Sequence, residues 1–141
     1  MVSITVDTSV TMAWCFRDEA TPYARSVFAR LRTTGAVAPV IWTLEVANAL
    51  LMGERRQRLT QNDVVRFIQI LRGLPITVDD QGVAGALGPI LHLARAQNLT
   101  AYDASYLELA LREGLPLATQ DNRLRAAASA IGIPLVTADE H

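Results

Sequence analysis

The chain has 141 residues, 50% of them hydrophobic and 19% charged, with a formal net charge of −1. That length suits one domain, 1–141, built around one core, and the balance of residues excludes a disordered chain. No apolar run approaches the roughly 20 residues needed to cross a bilayer, and the charge carries no basic signature for nucleic acid.

The chain opens MVSITVD. It shows no basic leader and alternates from the start, so it reads as a strand from Val2 to Val6 ending at Asp7 in a protein expected to be cytoplasmic. Thr8 and Ser9 open a short helix reaching about Phe16. Thr21-Pro22 is an N-cap with proline at the first helical position, and that helix stops near Gly35. Ala36–Pro39 is a second strand, followed from about Trp42 by a helix with Glu45 in its first turn and Asn48 three residues on. Thr60 to Asp63 resembles a capping box ahead of the apolar stripe Val64, Phe67, Ile68, Leu71.

Leu74–Val78 is a third short strand. A helical period follows Asp79-Asp80, but Gly85, Gly88 and Pro89 must kink that helix or divide it, and the sequence does not choose. A helix over 101–112, a strand over 115–119, a helix over 122–131 and a strand over 133–137 complete the chain. All 13 cations are arginine. Genome composition suffices to explain that bias, although arginine suits phosphate contacts. The cluster Arg55-Arg56-Gln57-Arg58 reads as a solvated helix end. Cys15 has no partner for an internal disulfide and reads as a buried or interface thiol. Neither His92 nor His141 sits in a motif.

Short apolar strands alternating with helices predict an α/β domain with a parallel sheet covered on both faces. In such a sheet the residues just past each strand emerge at one edge. Asp7, Glu45 and Asp121 should therefore meet there, whereas no strand directly precedes Asp103. Taken singly, each acid is explained by helix capping: Thr100-Ala-Tyr-Asp103 could be one capping box, and Asp121 could cap the last helix. As a set they are costly, because gathered acids raise one another's pKa values unless a cation neutralises them. Oxygen ligands without histidine or cysteine suit Mg²⁺ or Mn²⁺ and point to phosphoryl chemistry. Asp79-Asp80 also follows a strand but reads as a helix start.

DTSV at 7–10, TLEVANAL at 43–50, LTAYDASYLELAL at 99–111 and LATQDNRL at 117–124 resemble the motifs of PIN-domain ribonucleases, most closely the VapC toxins of bacterial toxin–antitoxin pairs. The resemblance runs through essentially the whole chain in order. It implies a PIN-like α/β/α sandwich with a short-stranded central parallel sheet. It also implies an acidic pocket binding at least one Mg²⁺ or Mn²⁺ ion, and metal-dependent hydrolysis of RNA. Carried over by position, Asp7, Glu45, Asp103 and Asp121 match the acidic quartet, with Asp7, Asp103 and Asp121 assigned to metal and Glu45 to the attacking water. Ser9 and Thr119 match the hydroxyls that hold carboxylates, and Asn48 matches a polar residue one turn past the glutamate. Some relatives carry a further acid past the last motif, where this chain has Asn122 and Arg123.

Implied partners are RNA, a second copy forming a homodimer, and a VapB-like antitoxin lying in an apolar groove walled by Trp14, Phe16, Trp42 and Leu51. A haloacid-type phosphatase would need aspartate where Ser9 stands, and a receiver domain would need a late-strand lysine this chain lacks. The remaining alternative is a PIN-like scaffold that binds RNA or a partner without cutting.

Overall fold

Sequence order and sheet order diverge in a way that brings the first and last strands together. The computed structural model describes residues 3–138. Four strands, β1 (Ile4–Val6), β2 (Ala36–Pro39), β3 (Ile76–Asp79) and β4 (Leu117–Ala118), form one sheet in the order β3-β2-β1-β4. All three pairings are parallel, with Thr5 opposite Val37 on one side and Leu117 on the other. The helices are α1 (Thr8–Cys15), α2 (Pro22–Thr34), α3 (Val40–Arg55), α4 (Gln61–Arg72), α5 (Gln81–Ala84), α6 (Leu91–Gln97), α7 (Ala101–Glu113) and α8 (Asn122–Ala130).

Successive strand residues point to opposite faces. Ile4, Thr5 and Val6 are all fully buried, so both faces of the sheet are covered at its centre. β3 is exposed at its middle two positions, as an edge strand should be. The core gathers Ile4, Val6, Val10, Val27, Leu31, Leu107, Leu117 and Leu124 from strands and helices alike. No helix among the described residues is long and apolar enough to cross a membrane.

Local chemistry sets most boundaries. Thr21 accepts from the Ala24 N–H ahead of Pro22. Gly35 ends α2 at φ 77°, a backbone that other residues enter with strain. Thr60 and Asp63 form a complete capping box, with bonds of 2.9 and 3.0 Å.

Two expectations change and one open choice is resolved. α3 begins at Val40, not Trp42, which moves Glu45 from the first turn to the second. Val40 and Ile41 favour strand locally, but Ile41 packs on the core within the helix. The Gly85–Pro89 segment divides its helix: a π turn over Ala86–Ile90 separates α5 from α6, because Pro89 cannot donate its backbone bond. The strand expected over 133–137 shrinks to a single parallel bridge between Leu117 and Leu135. Pro134 offers only its carbonyl, to the Leu117 N–H at 2.9 Å, and the Val136 N–H closes on the Leu117 carbonyl at 2.9 Å. The expected first residue of β1, Val2, and the terminal His141 lie outside the described residues.

Candidate active site

The C-terminal ends of β1 and β4 are neighbours, and the residues that follow them lock together. Asp7 leaves β1 and caps α1, accepting from the Val10 N–H at 3.0 Å. Ser9 Oγ donates to both its carboxylate oxygens at 2.8 and 2.9 Å, and Thr119 Oγ1 donates to Oδ2. The same two hydroxyls accept from the far loop: Ser9 from the Gln120 N–H and Thr119 from the Asp121 N–H, each at 3.0 Å. Both hydroxyls thus hold the Asp7 carboxylate.

Asp7 is only 4% exposed and makes no ion pair among the described residues. Burial pushes its pKa up to about 6, against the pull of its hydrogen bonds, and the nearby Asp121 adds to the rise. Asp121 caps α8, accepting from the Arg123 and Leu124 N–H groups at 2.9 and 3.2 Å. The Arg125 guanidinium donates to the Thr119 carbonyl at 2.8 Å and lies 5.5 Å from the Tyr23 ring centroid.

Asp103, which no strand positions, arrives on the first turn of α7. Its backbone N–H donates to the Thr100 cap at 3.1 Å, but its carboxylate makes no reciprocal bond to the Thr100 N–H. Capping explains Asp63, whose pKa is lowered by that backbone bond. The pKa of Asp103 is instead raised, by partial burial and by the charges of Asp121 and Glu45, against the pull of the Thr100 side chain and Arg123. Asp121 therefore lies within electrostatic reach of both Asp7 and Asp103, and Glu45 within reach of Asp103.

Glu45 is held by two hydroxyls that sequence reasoning passed over. Thr8 Oγ1 donates to its Oε1 at 3.0 Å, and the Tyr106 hydroxyl donates to the same oxygen. Burial and the adjacent Glu45 push the Tyr106 pKa far up, so the phenol stays protonated. The spacing puts Tyr106 one turn past Asp103 on the same helix face but gives no sign of its contact with Glu45. Asn48 is exposed on α3 and no hydrogen bond joins it to the acids.

Other candidates separate. Asp79 supports a helix start as expected, accepting from the Gly82 N–H at 3.3 Å, and pairs with Arg112 at 2.7 Å. Arg112 also binds Glu108 at 2.7 Å. Arg58 is more than a solvated helix end: it pairs with Asp18 at 3.0 Å and lies 3.9 Å from the Phe16 ring centroid. The four expected groove residues share no single groove. Trp14 and Phe16 border a recess of about 550 Å³ with Leu59 and Phe67. Trp42 borders another with Val46 and Ile68, donating to Thr11 Oγ1 at 2.9 Å, and Leu51 borders neither.

A bound Mg²⁺ or Mn²⁺ was expected from the sequence, and the donor set fits one. The ligands on offer are carboxylates and hydroxyls with no histidine or cysteine beside them, which selects a hard divalent ion. The buried Asp7 charge is one that a cation would offset. Among the described residues no three acidic, histidine or cysteine side chains yet close on one point, so the acids are paired in range rather than caged.

The chain is thus an α/β domain whose acids Asp7 and Asp121 stand just past two neighbouring parallel strands. The PIN domain family model matches residues 4–130, and the chain belongs to that family. Among its relatives is Ribonuclease VapC3 of two Mycobacterium tuberculosis strains, 37% identical over 110 residues, covering 76% of this chain and 77% of the relative. The fold is shared with the crystal structure of PAE2754 from Pyrobaculum aerophilum, at a TM-score of 0.69 and 24% identity, over 89% of this chain and 84% of that one.

Proposed function

We propose that this chain is the endoribonuclease toxin of a type II toxin–antitoxin pair, acting as one domain over 1–141 and hydrolysing RNA phosphodiester bonds to stop translation and growth. Membership of the PIN family and 37% identity to Ribonuclease VapC3 support a VapC-type nuclease. The observation that carries the reading is the buried Asp7 carboxylate, without a counter-cation and beside Asp121.

Asp7, Asp103 and Asp121 would hold Mg²⁺ or Mn²⁺. When bound, such an ion supplies Lewis acidity at the phosphoryl oxygens and lowers the pKa of water. Ser9 and Thr119 hold the Asp7 carboxylate in one orientation by direct hydrogen bonds. Glu45 orients the attacking water and takes its proton. Asn48 one turn on, exposed, is left to meet substrate. Arg123, exposed and close enough to Asp103 to draw its pKa down, suits an RNA backbone arriving at the acidic edge.

A VapB-like antitoxin, a homodimer and a cytoplasmic setting complete the proposal. The purified protein should cleave RNA with Mg²⁺ or Mn²⁺, lose that activity in EDTA, and lose it in Asp103→Asn. Undiminished cleavage by Asp103→Asn would overturn the assignment.

A further inference from the structure

Three of the four acids have an anchor in the backbone around them. Asp7 and Asp121 cap helices, and Asp103 sits on a capped first turn. Glu45 has none of this. It lies in the second turn of α3, half-buried, on a side chain with three rotatable bonds. Left alone it would sample several rotamers.

What orders it comes from two other helices. Thr8 on α1 and Tyr106 on α7 form a closed triangle with Glu45 Oε1: Thr8 Oγ1 to Oε1 at 3.0 Å, Thr8 Oγ1 to the Tyr106 hydroxyl at 2.9 Å, and the Tyr106 hydroxyl to Oε1. The two hydroxyl protons suffice to satisfy Oε1 twice. Among the described residues, no donor reaches Oε2. Tyr106 belongs to the hydrophobic core and is 2% exposed. A phenylalanine would fill that space without bringing a buried hydroxyl that needs a partner. The hydroxyl finds its partner in the one acid that no cap holds.

We propose that Tyr106 and Thr8 are positioning residues for Glu45, gripping Oε1 so that Oε2 alone faces the reacting groups. What Glu45 does there rests on the nuclease reading above; where it stands does not. The grip also ties α3 to the helices bearing Asp7 and Asp103, so the glutamate moves with the acids it serves.

The test uses the full chain and an RNA oligonucleotide. Tyr106→Phe should lower kcat about tenfold to a hundredfold while KM stays within about twofold, the pattern of a misplaced group rather than a lost binding contact. Thr8→Val should behave likewise, and Thr8→Ser should restore the rate. Placed on Glu45→Gln, Tyr106→Phe should cost no more than about twofold, since two residues acting as one unit are not additive. Equal losses on both backgrounds would overturn the proposal. Position can be read without substrate. In crystals of Tyr106→Phe the Glu45 carboxylate should move by more than about 1 Å, the scale at which misplacement costs catalysis. A carboxylate that stays in place overturns the proposal whether or not the parent protein cuts RNA. A displaced carboxylate in a parent that cuts no RNA would support the positioning and sink the nuclease reading alone.

Discussion

Asp7→Asn removes a charge from the site while keeping its shape, and the metal-free protein should become more stable for it. The asparagine Oδ1 still accepts from the Val10 N–H, and asparagine caps helices as well as aspartate does. Its amide can donate to Ser9 or Thr119, whose hydroxyls can reverse. The gain follows from the pKa, raised from 3.8 to about 6 by burial. A carboxyl whose folded pKa is raised stabilises the fold below its unfolded value and loses that contribution as pH rises through the folded one. Above about pH 6 the ionised Asp7 costs the folded state about 3 kcal/mol at about 1.4 kcal/mol for each pH unit between the two values. Urea unfolding in EDTA should show Asp7→Asn more stable than the parent by up to that amount at pH 8, on the order of 10 °C in Tm. The gap should close towards pH 4. Added Mg²⁺ should stabilise the parent and not the variant. A variant no more stable than the parent at pH 8, or a difference that ignores pH, would refute the reasoning.

Thr119→Val deletes a donor to Asp7 and the acceptor for the Asp121 N–H. It should cost about 1–3 kcal/mol in denaturant unfolding and lower RNA cleavage. Arg112→Met strands Asp79, through which Arg112 ties α7 to β3, and the mostly buried Glu108 one turn back on its own helix. The partial exposure of Arg112 limits the expected loss to about 2 kcal/mol, read by urea titration. Gly82→Ala would put a Cβ 2.6 Å from Glu108 Oε1. Because Arg112 pins that carboxylate, the strain should appear as a destabilisation of about 1–2 kcal/mol. Cys15, its pKa pushed up to about 11 by burial and by Asp63 and Glu19, should alkylate with iodoacetamide at pH 8 on the order of a hundredfold more slowly than a free thiol.

The fold class was legible because its signals are local. Alternation over Ile4–Val6, the Thr21-Pro22 start, the Thr60–Asp63 box and the Gly35 stop each act within a few residues. The parallel-sheet rule then carried Asp7 and Asp121 to one edge, where the Ser9 and Thr119 hydroxyls donate to Asp7 and accept from the Gln120 and Asp121 N–H groups. Where two local preferences competed, sequence reasoning slipped. The β-branched pair Val40-Ile41 joined a helix, and Pro134 limited the last segment to one bridge.

Everything that depends on contact across the chain waited for tertiary structure. Thr8, Glu45 and Tyr106 are 37 and 61 residues apart in succession, and no local pattern announces that their oxygens meet. Taken singly, Asp103 reads from the sequence as a capping residue first. Burial and the charges of Asp121 and Glu45 raise its pKa, whereas the Thr60 backbone bond lowers that of Asp63. Periodicity and caps are written residue by residue into the backbone, so the sequence by itself determined the elements and the edge. The charge state of a carboxylate depends on what surrounds it, and only the folded chain decided which acids are buried, which are paired and which are left to bind.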